Sequence, residues 1–122
     1  MKWAYLLFIR LYPLLAKLLA PFNSKAALWV KGRKGLIQQI KNSMQLNEQP
    51  IIWMHASSLG EFEQGLPVVE SIKKQYPHHR VVVTFFSPSG YEIRKNHPIA
   101  DWVFYLPMDS PSNAVEFIAI VK

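Results

Sequence analysis

The chain of 122 residues lacks cysteine, and its 8 acidic residues are outnumbered by 14 lysines and arginines. Without cysteine, a disulfide scaffold and any zinc site built on thiolates are excluded. Half of the residues are hydrophobic, which excludes intrinsic disorder over most of the length. The length fits one small domain or a piece of a larger one.

Three common glycine-rich motifs are also missing. The sequence has no GxGxxG dinucleotide fingerprint, no GxxxxGK[ST] phosphate loop and no GxSxG nucleophile elbow. Dinucleotide binding, P-loop nucleotide binding and serine-hydrolase chemistry of these usual kinds therefore have no support.

The positive charge is concentrated at the start of the chain. Eight basic residues and no acidic residue precede Glu48, whereas six basic and eight acidic residues follow from there on. The charge pattern predicts two parts: a hydrophobic and basic segment, residues 1–47, and a mildly acidic domain, residues 48–122.

Residues 3–22 form an apolar run of about the length that spans a bilayer. Arg10 and Lys17 interrupt the run and no small-residue cleavage site follows, which argues against a cleaved signal peptide. A buried core helix and a membrane anchor, spanning or interfacial, remain as interpretations, and the anchor is favoured. Pro21 is expected to end the helix.

Several residues suit the anchor interpretation. Trp3 fits the headgroup boundary, and Arg10 and Lys17 can extend their charges to it. Arg33 and Lys34 belong to a basic cluster that suits an anionic membrane surface on the cytoplasmic side. Nucleic-acid binding is the competing use of this charge, but no recognition motif accompanies it.

The second part alternates strand and helix patterns. Apolar runs predict strands at 51–56, 80–86 and 101–106, and amphipathic segments predict helices at about 60–75, 91–96 and from Pro111 onward. Pro67 leaves a second possibility, in which the first of these helices begins near Leu66. The alternation predicts an α/β fold with a Rossmann-like parallel sheet, whose ligands bind at the carboxyl ends of the strands.

The loop after the first strand holds the best candidate for chemistry. Glu61 lies near a helix N-terminus, which favours the carboxylate form that a general base needs. Gly60 is expected to allow an unusual backbone angle and close approach of a ligand. An ordinary capping glutamate is the alternative for Glu61, and it remains open from the residues alone.

Other polar residues at this edge are more ambiguous. Ser87, Ser89 and Gly90 can offer hydroxyls and backbone N–H groups to an anionic or sugar ligand, or can simply cap a helix. His55 ends an apolar strand, where a structural role is more common than a ligand role. No histidine is paired with carboxylates at metal spacing, so no metal site is assigned.

Four segments of the sequence resemble one enzyme family. WMHASSLGE at 53–61 resembles the W-x-H-x-x-S-x-G-E signature of the 3-deoxy-D-manno-octulosonic acid (Kdo) transferases. WVKGRK at 29–34, TFFSPSGYE at 84–92 and FYLPMDSP at 104–111 are similar to that family's basic stretch, second-strand loop and third-strand loop. The four occur in the family's order and are spread over most of the chain, from residue 29 to residue 111.

The resemblance implies the incomplete N-terminal half of a two-domain GT-B fold, preceded by a membrane-anchoring helix at the cytoplasmic face of the bacterial inner membrane. It implies inverting transfer of Kdo from CMP-Kdo to a lipid A precursor, lipid IVA, without a cofactor or catalytic metal. By the same resemblance, Glu61 is expected to act as general base, Ser58 and Gly60 to shape the base loop, and Ser87 and Gly90 to shape the neighbouring loop. The resemblance further implies that this half holds the acceptor and that the absent C-terminal domain binds CMP-Kdo.

The chain departs from the family at two points. Ser87 and Ser89 stand where the family often has threonines, and the family's next acidic motif lies beyond Lys122. These residues alone are therefore expected to be inactive. A non-catalytic, membrane-tethered module that binds lipid or sugar is the alternative function.

Overall fold

The computed structural model describes all residues, 1–122. Three helices come first: α1 (Lys2–Leu19), α2 (Ser24–Arg33) and α3 (Leu36–Met44). Strands and helices then alternate: β1 (Ile51–Ala56), α4 (Leu59–Gln75), β2 (Arg80–Phe85), α5 (Pro88–Arg94), β3 (Trp102–Tyr105) and α6 (Pro111–Val121).

The strands form one parallel sheet in the order β1-β2-β3. The register pairs Trp53 with Val82 and Val82 with Trp102. The middle strand is fully buried from Val81 to Phe85, because helices cover both of its faces. The α/β prediction with a parallel sheet is confirmed, and the order is consistent with a Rossmann-like fold.

Alternating side chains of β2 are buried in two separate hydrophobic cores, one on each face of the sheet. Val82 points to the side covered by α3 and α6, where Ile40 and Phe117 are buried. Val81, Val83 and Phe85 point to the other side, where α4 contributes Phe62 and Val69 to the second core. This period of two is what a central strand with two covered faces requires.

The start of α4 agrees with the predicted helix at about 60–75, whereas the start of α5 differs from its prediction. The helix α4 begins at Leu59 and carries Pro67 inside it, so the alternative start near Leu66 is wrong. Phe62 explains this: its side chain is fully buried and anchors the first turn. The helix α5 begins at Pro88 rather than at 91, because the Ser87 side chain caps it and proline suits the first helical position.

The first helix lies largely in solvent. Ala16 is its buried residue, and its large apolar side chains are mostly exposed. The helix ends at Leu19, before Pro21 as expected. Among the helices of the structure, none combines the length and the apolarity needed to cross a membrane.

The third helix packs as part of the α/β unit. Leu36, Ile40 and Met44 are buried in the core on the α6 side of the sheet. Gly35 makes the turn into this helix with a φ of 65°, a conformation that suits glycine. The division at residue 47 is based on charge and stays a prediction, but the packed unit already includes residues 36–44.

Candidate active site

The loop between β1 and α4 lies at the carboxyl edge of the sheet. Ser58 is the N-cap of α4 in extended backbone (φ −142°, ψ 171°), without a side-chain capping bond. Glu61, in the first turn, instead accepts a hydrogen bond from the Ser57 N–H, at 2.6 Å between N and Oε2. Its other oxygen, Oε1, has no hydrogen-bond partner, so one carboxylate both fastens the loop and keeps an oxygen available.

The structure corrects the expectation for Gly60. Its backbone is helical, and Gly35 is the glycine with positive φ, so Gly60 adopts no unusual angle. A Cβ at position 60 would meet no heavy atom within 4 Å. The open space next to Glu61 leaves close approach of a ligand as a prediction.

The loop between β2 and α5, residues 86–87, is joined to the loop between β1 and α4 by a backbone hydrogen bond and by packing. The Ser87 N–H donates to the Ser57 carbonyl at 3.0 Å. A Cβ on Gly90 would overlap the Phe85 ring and lie 3.3 Å from the Leu59 nitrogen, so Gly90 allows α5 to pack against the start of α4. Gly90 is buried, and the structure gives it this packing role rather than a place on the open surface.

The hydroxyl of Ser87 serves as a helix cap. It accepts a hydrogen bond from the Ser89 N–H at 3.1 Å, and the two serine hydroxyls lie 2.6 Å apart. Capping, the plainer of the two interpretations for this loop, is therefore realised, and contact between Ser87 and a substrate stays a prediction.

A polar network that the sequence patterns do not indicate lies on the same edge. Trp53 Nε1 donates to Thr84 Oγ1 at 2.9 Å, and His55 Nδ1 lies 3.0 Å from the same oxygen. Burial lowers the pKa of His55, so its ring is neutral at pH 7. The available signal was Thr84, a polar residue in an otherwise apolar buried strand, because a buried hydroxyl needs partners.

Arg33 lies away from the exposed basic surface to which Lys34 belongs. Its guanidinium carbon lies 4.0 Å from the Trp29 ring centre, 4.9 Å from that of Phe86 and 5.1 Å from that of Tyr105. Nη2 donates to the Phe86 carbonyl at 3.0 Å. Burial lowers the pKa of Arg33 to about 10, which leaves it charged at neutral pH.

The other residues predicted for the anchor are on the surface. Trp3, Arg10 and Lys17 are exposed along α1, and Lys34 is exposed after α2. Arg33 differs from them because a Cβ on Gly32 would overlap the Tyr105 ring, so the α2 backbone sits directly on that ring and directs Arg33 inward.

An apolar groove of about 430 Å³ lies between α1 and α6, next to the polar network. Phe8 and Ile9 of α1 line one side, Phe117 and Ile118 of α6 the other, and Trp53 also lines it. The groove therefore places hydrophobic space beside the carboxyl edge of the sheet. The chain contains no group of three or more histidine or acidic side chains arranged to hold a metal ion.

Comparisons with known proteins identify the family. The family model described as 3-deoxy-D-manno-octulosonic-acid transferase (kdotransferase) matches residues 30–122. Curated proteins named 3-deoxy-D-manno-octulosonic acid transferase are 32% identical over 72 residues in Aquifex aeolicus and 38% identical over 73 residues in Haemophilus influenzae. A protein of the same name in Chlamydophila psittaci is 39% identical over 62 residues.

The first two matches cover 58% of this chain and the third 49%. The aligned part is 20%, 17% and 14% of the respective relatives, so the chain spans about a fifth of their length or less. No solved structure gives a significant match. Because the family model covers β1 to β3 and the Glu61 loop together, the chain belongs to the Kdo transferase family.

Proposed function

We propose that these residues form the acceptor-binding side of a Kdo transferase that moves Kdo from CMP-Kdo to a lipid A precursor, lipid IVA, with inversion. The main support is the position of Glu61 in the first turn of α4, with Oε1 free of hydrogen bonds. This residue lies at the sheet edge where folds of this class bind ligands. Family membership supports the Kdo transfer itself.

The proposed reaction uses Glu61 as general base. Oε1 takes the proton of the acceptor hydroxyl while that oxygen forms a bond to the anomeric carbon of Kdo. The bond from the anomeric carbon to the phosphate oxygen breaks, and CMP leaves with the electron pair. The bond from the Ser57 N–H holds Oε2, so the carboxylate is oriented while Oε1 stays free for this step.

The groove and the basic residues suit the proposed acceptor. A lipid A precursor combines phosphates with acyl chains. The apolar groove suits acyl chains, and the exposed lysines of the first helices suit phosphates. We assign CMP-Kdo to a second, donor-binding half of a GT-B fold, and the chemistry to residues that need neither cofactor nor metal. Nucleic acid is not among the proposed partners.

We place the protein at the cytoplasmic face of the inner membrane, with α1 in the membrane interface. Leu7, Leu14 and Leu18 are each more than half exposed on this helix. Arg10 and Lys17 can extend their charges to anionic headgroups. Exposed apolar side chains at this density are typical of helices that lie on a membrane surface.

The test is the Glu61→Gln variant of the full-length protein, assayed for Kdo transfer to lipid IVA. Glutamine keeps an oxygen for the Ser57 N–H but takes no proton, so we expect kcat to fall by about 10²–10⁴-fold with circular dichroism unchanged. Glu70→Gln, on an exposed position of the same helix, is the matched control and should keep full activity. Normal activity of Glu61→Gln would refute the base assignment.

A further inference from the structure

One peptide group links the basic stretch to the base loop. The peptide between Phe86 and Ser87 accepts a hydrogen bond from Arg33 Nη2 at its carbonyl, 3.0 Å away. The N–H of the same peptide donates to the Ser57 carbonyl, also at 3.0 Å. Since a charged donor polarises the peptide that it bonds, Arg33 strengthens the bond to Ser57 as well as orienting it.

Ser57 is in turn held on both sides. Its carbonyl accepts from Ser87, and its N–H donates to Glu61 Oε2 at 2.6 Å. A continuous set of contacts therefore runs from Arg33 through the Phe86–Ser87 peptide and Ser57 to the carboxylate of Glu61.

Arg33 occupies its position at an energetic cost. Its guanidinium has no carboxylate partner, and burial among Trp29, Phe86 and Tyr105 lowers its pKa. Cation–π contacts partly offset the loss of hydration of the guanidinium. It also donates to two carbonyls, that of Phe86 and, at 3.5 Å, that of Trp29. A partly buried cation without an anionic partner contributes little to stability by itself.

We propose that Arg33 is a positioning residue for Glu61. Arg33 acts through the Phe86–Ser87 peptide and Ser57, and so fixes the Glu61 carboxylate for proton transfer. The inference depends on the proposed role of Glu61 as base. It assigns Arg33 a task different from that of Lys34, its exposed neighbour, which remains available to an anionic surface.

The experiment compares Arg33→Lys, Arg33→Met and Lys34→Met, the last of which removes an exposed charge of the same segment, in the full-length protein. Lys74→Met, at an exposed lysine of α4, is the control. Each variant is measured by steady-state kinetics and by hydrogen exchange of backbone amides. Lysine keeps the charge but lacks the planar fork that reaches the carbonyl. We expect both Arg33 variants to lower kcat by about 10–100-fold, as a small misplacement of a reacting group does, with KM for the lipid changed less than about twofold. Exchange at Ser57 and Ser87 should rise in the Arg33 variants and stay unchanged in Lys34→Met. The control Lys74→Met should leave kcat, KM and exchange unchanged.

Opposite results overturn the proposal. A normal kcat in Arg33→Lys, or a rise in KM shared with Lys34→Met, would mean that Arg33 acts only as a charge for the lipid. Faster exchange spread equally over β2 and α3 would mean general destabilisation. If no variant, including Glu61→Gln, affects transfer, the assignment of Glu61 as base fails. Unchanged exchange at Ser57 and Ser87 in the Arg33 variants would refute the linkage between Arg33 and Glu61 itself.

Discussion

Trp53 donates its indole N–H to the Thr84 hydroxyl at 2.9 Å, across neighbouring strands. Because Thr84 is fully buried, this bond and the contact with His55 satisfy a hydroxyl that would otherwise be unpaired. The network connects the core of the sheet with side chains that face the candidate site.

Thr84→Val should therefore destabilise the protein although the two side chains have nearly the same shape. The change removes the partner of Trp53 and His55, and we expect the free energy of unfolding to fall by about 1 kcal/mol, since Trp53 is partly exposed and water replaces part of the bond. Urea denaturation followed by tryptophan fluorescence measures the loss. The control Thr84→Ser keeps the hydroxyl and should retain the environment of Trp53. An equal change of fluorescence in Thr84→Val and Thr84→Ser would contradict the role of the Trp53–Thr84 hydrogen bond.

Gly90→Ala should be destabilising because its Cβ would overlap the fully buried Phe85 ring. Overpacking of this kind costs about 1–3 kcal/mol, which thermal unfolding detects. Gly60→Ala is the matched control, since its Cβ meets open space in a helix, and it should be neutral or slightly stabilising. If Gly60 serves close approach of the acceptor, as the sequence predicts, Gly60→Ala lowers transfer without lowering stability.

His55 should make the fold less stable in mild acid. Burial lowers its pKa below the 6.5 of an unfolded histidine, so the unfolded state binds the proton first. The contribution of neutral His55 to the free energy of unfolding is complete above pH 6.5. It is lost as the pH falls from 6.5 through the lower pKa of the folded state. Denaturation at pH 7.5 and pH 5.5 should show a smaller difference for His55→Asn than for the unchanged protein. An identical pH dependence would contradict the burial argument.

Leu14→Gln and Leu18→Gln should weaken binding to vesicles of phosphatidylethanolamine and phosphatidylglycerol. Each leucine is more than half exposed on α1, and the loss of partial apolar burial predicts roughly fivefold weaker partitioning for each in a sedimentation assay. Leu46→Gln, at an exposed leucine outside this helix, should bind as before. Equal weakening by all three changes would argue against an interfacial α1.

The strands and the main helices were predictable because their patterns are local. Val81, Val82 and Val83 form an apolar run that suits only a covered strand, and Phe62 and Val69 share one face of α4. The inward orientation of Arg33 was not predictable in the same way, since Lys31 and Lys34 are close neighbours of the same sign. It depends on Gly32 meeting Tyr105, a contact between residues far apart in the sequence.

Two local signals were nevertheless present. Leu36, Ile40 and Met44 recur every four residues, which is the spacing of a helix with one buried face, and they pack on the sheet. Trp29 precedes Arg33 by one helical turn, which places the ring beneath the guanidinium. The role of Glu61 as base stays a prediction, because the structure contains both the capping bond and the free oxygen.

The first helix meets the domain through rings rather than through a flexible linker. Tyr12 packs against Trp29 at 5.0 Å and against Phe86 at 5.6 Å between ring centres, and Phe86 lies in the loop between β2 and α5. With α1 in the membrane interface, as proposed, this contact sets the height of Glu61 above the lipid surface. An acceptor that diffuses in the plane of the bilayer then meets the base at a fixed depth, so its search is confined to two dimensions.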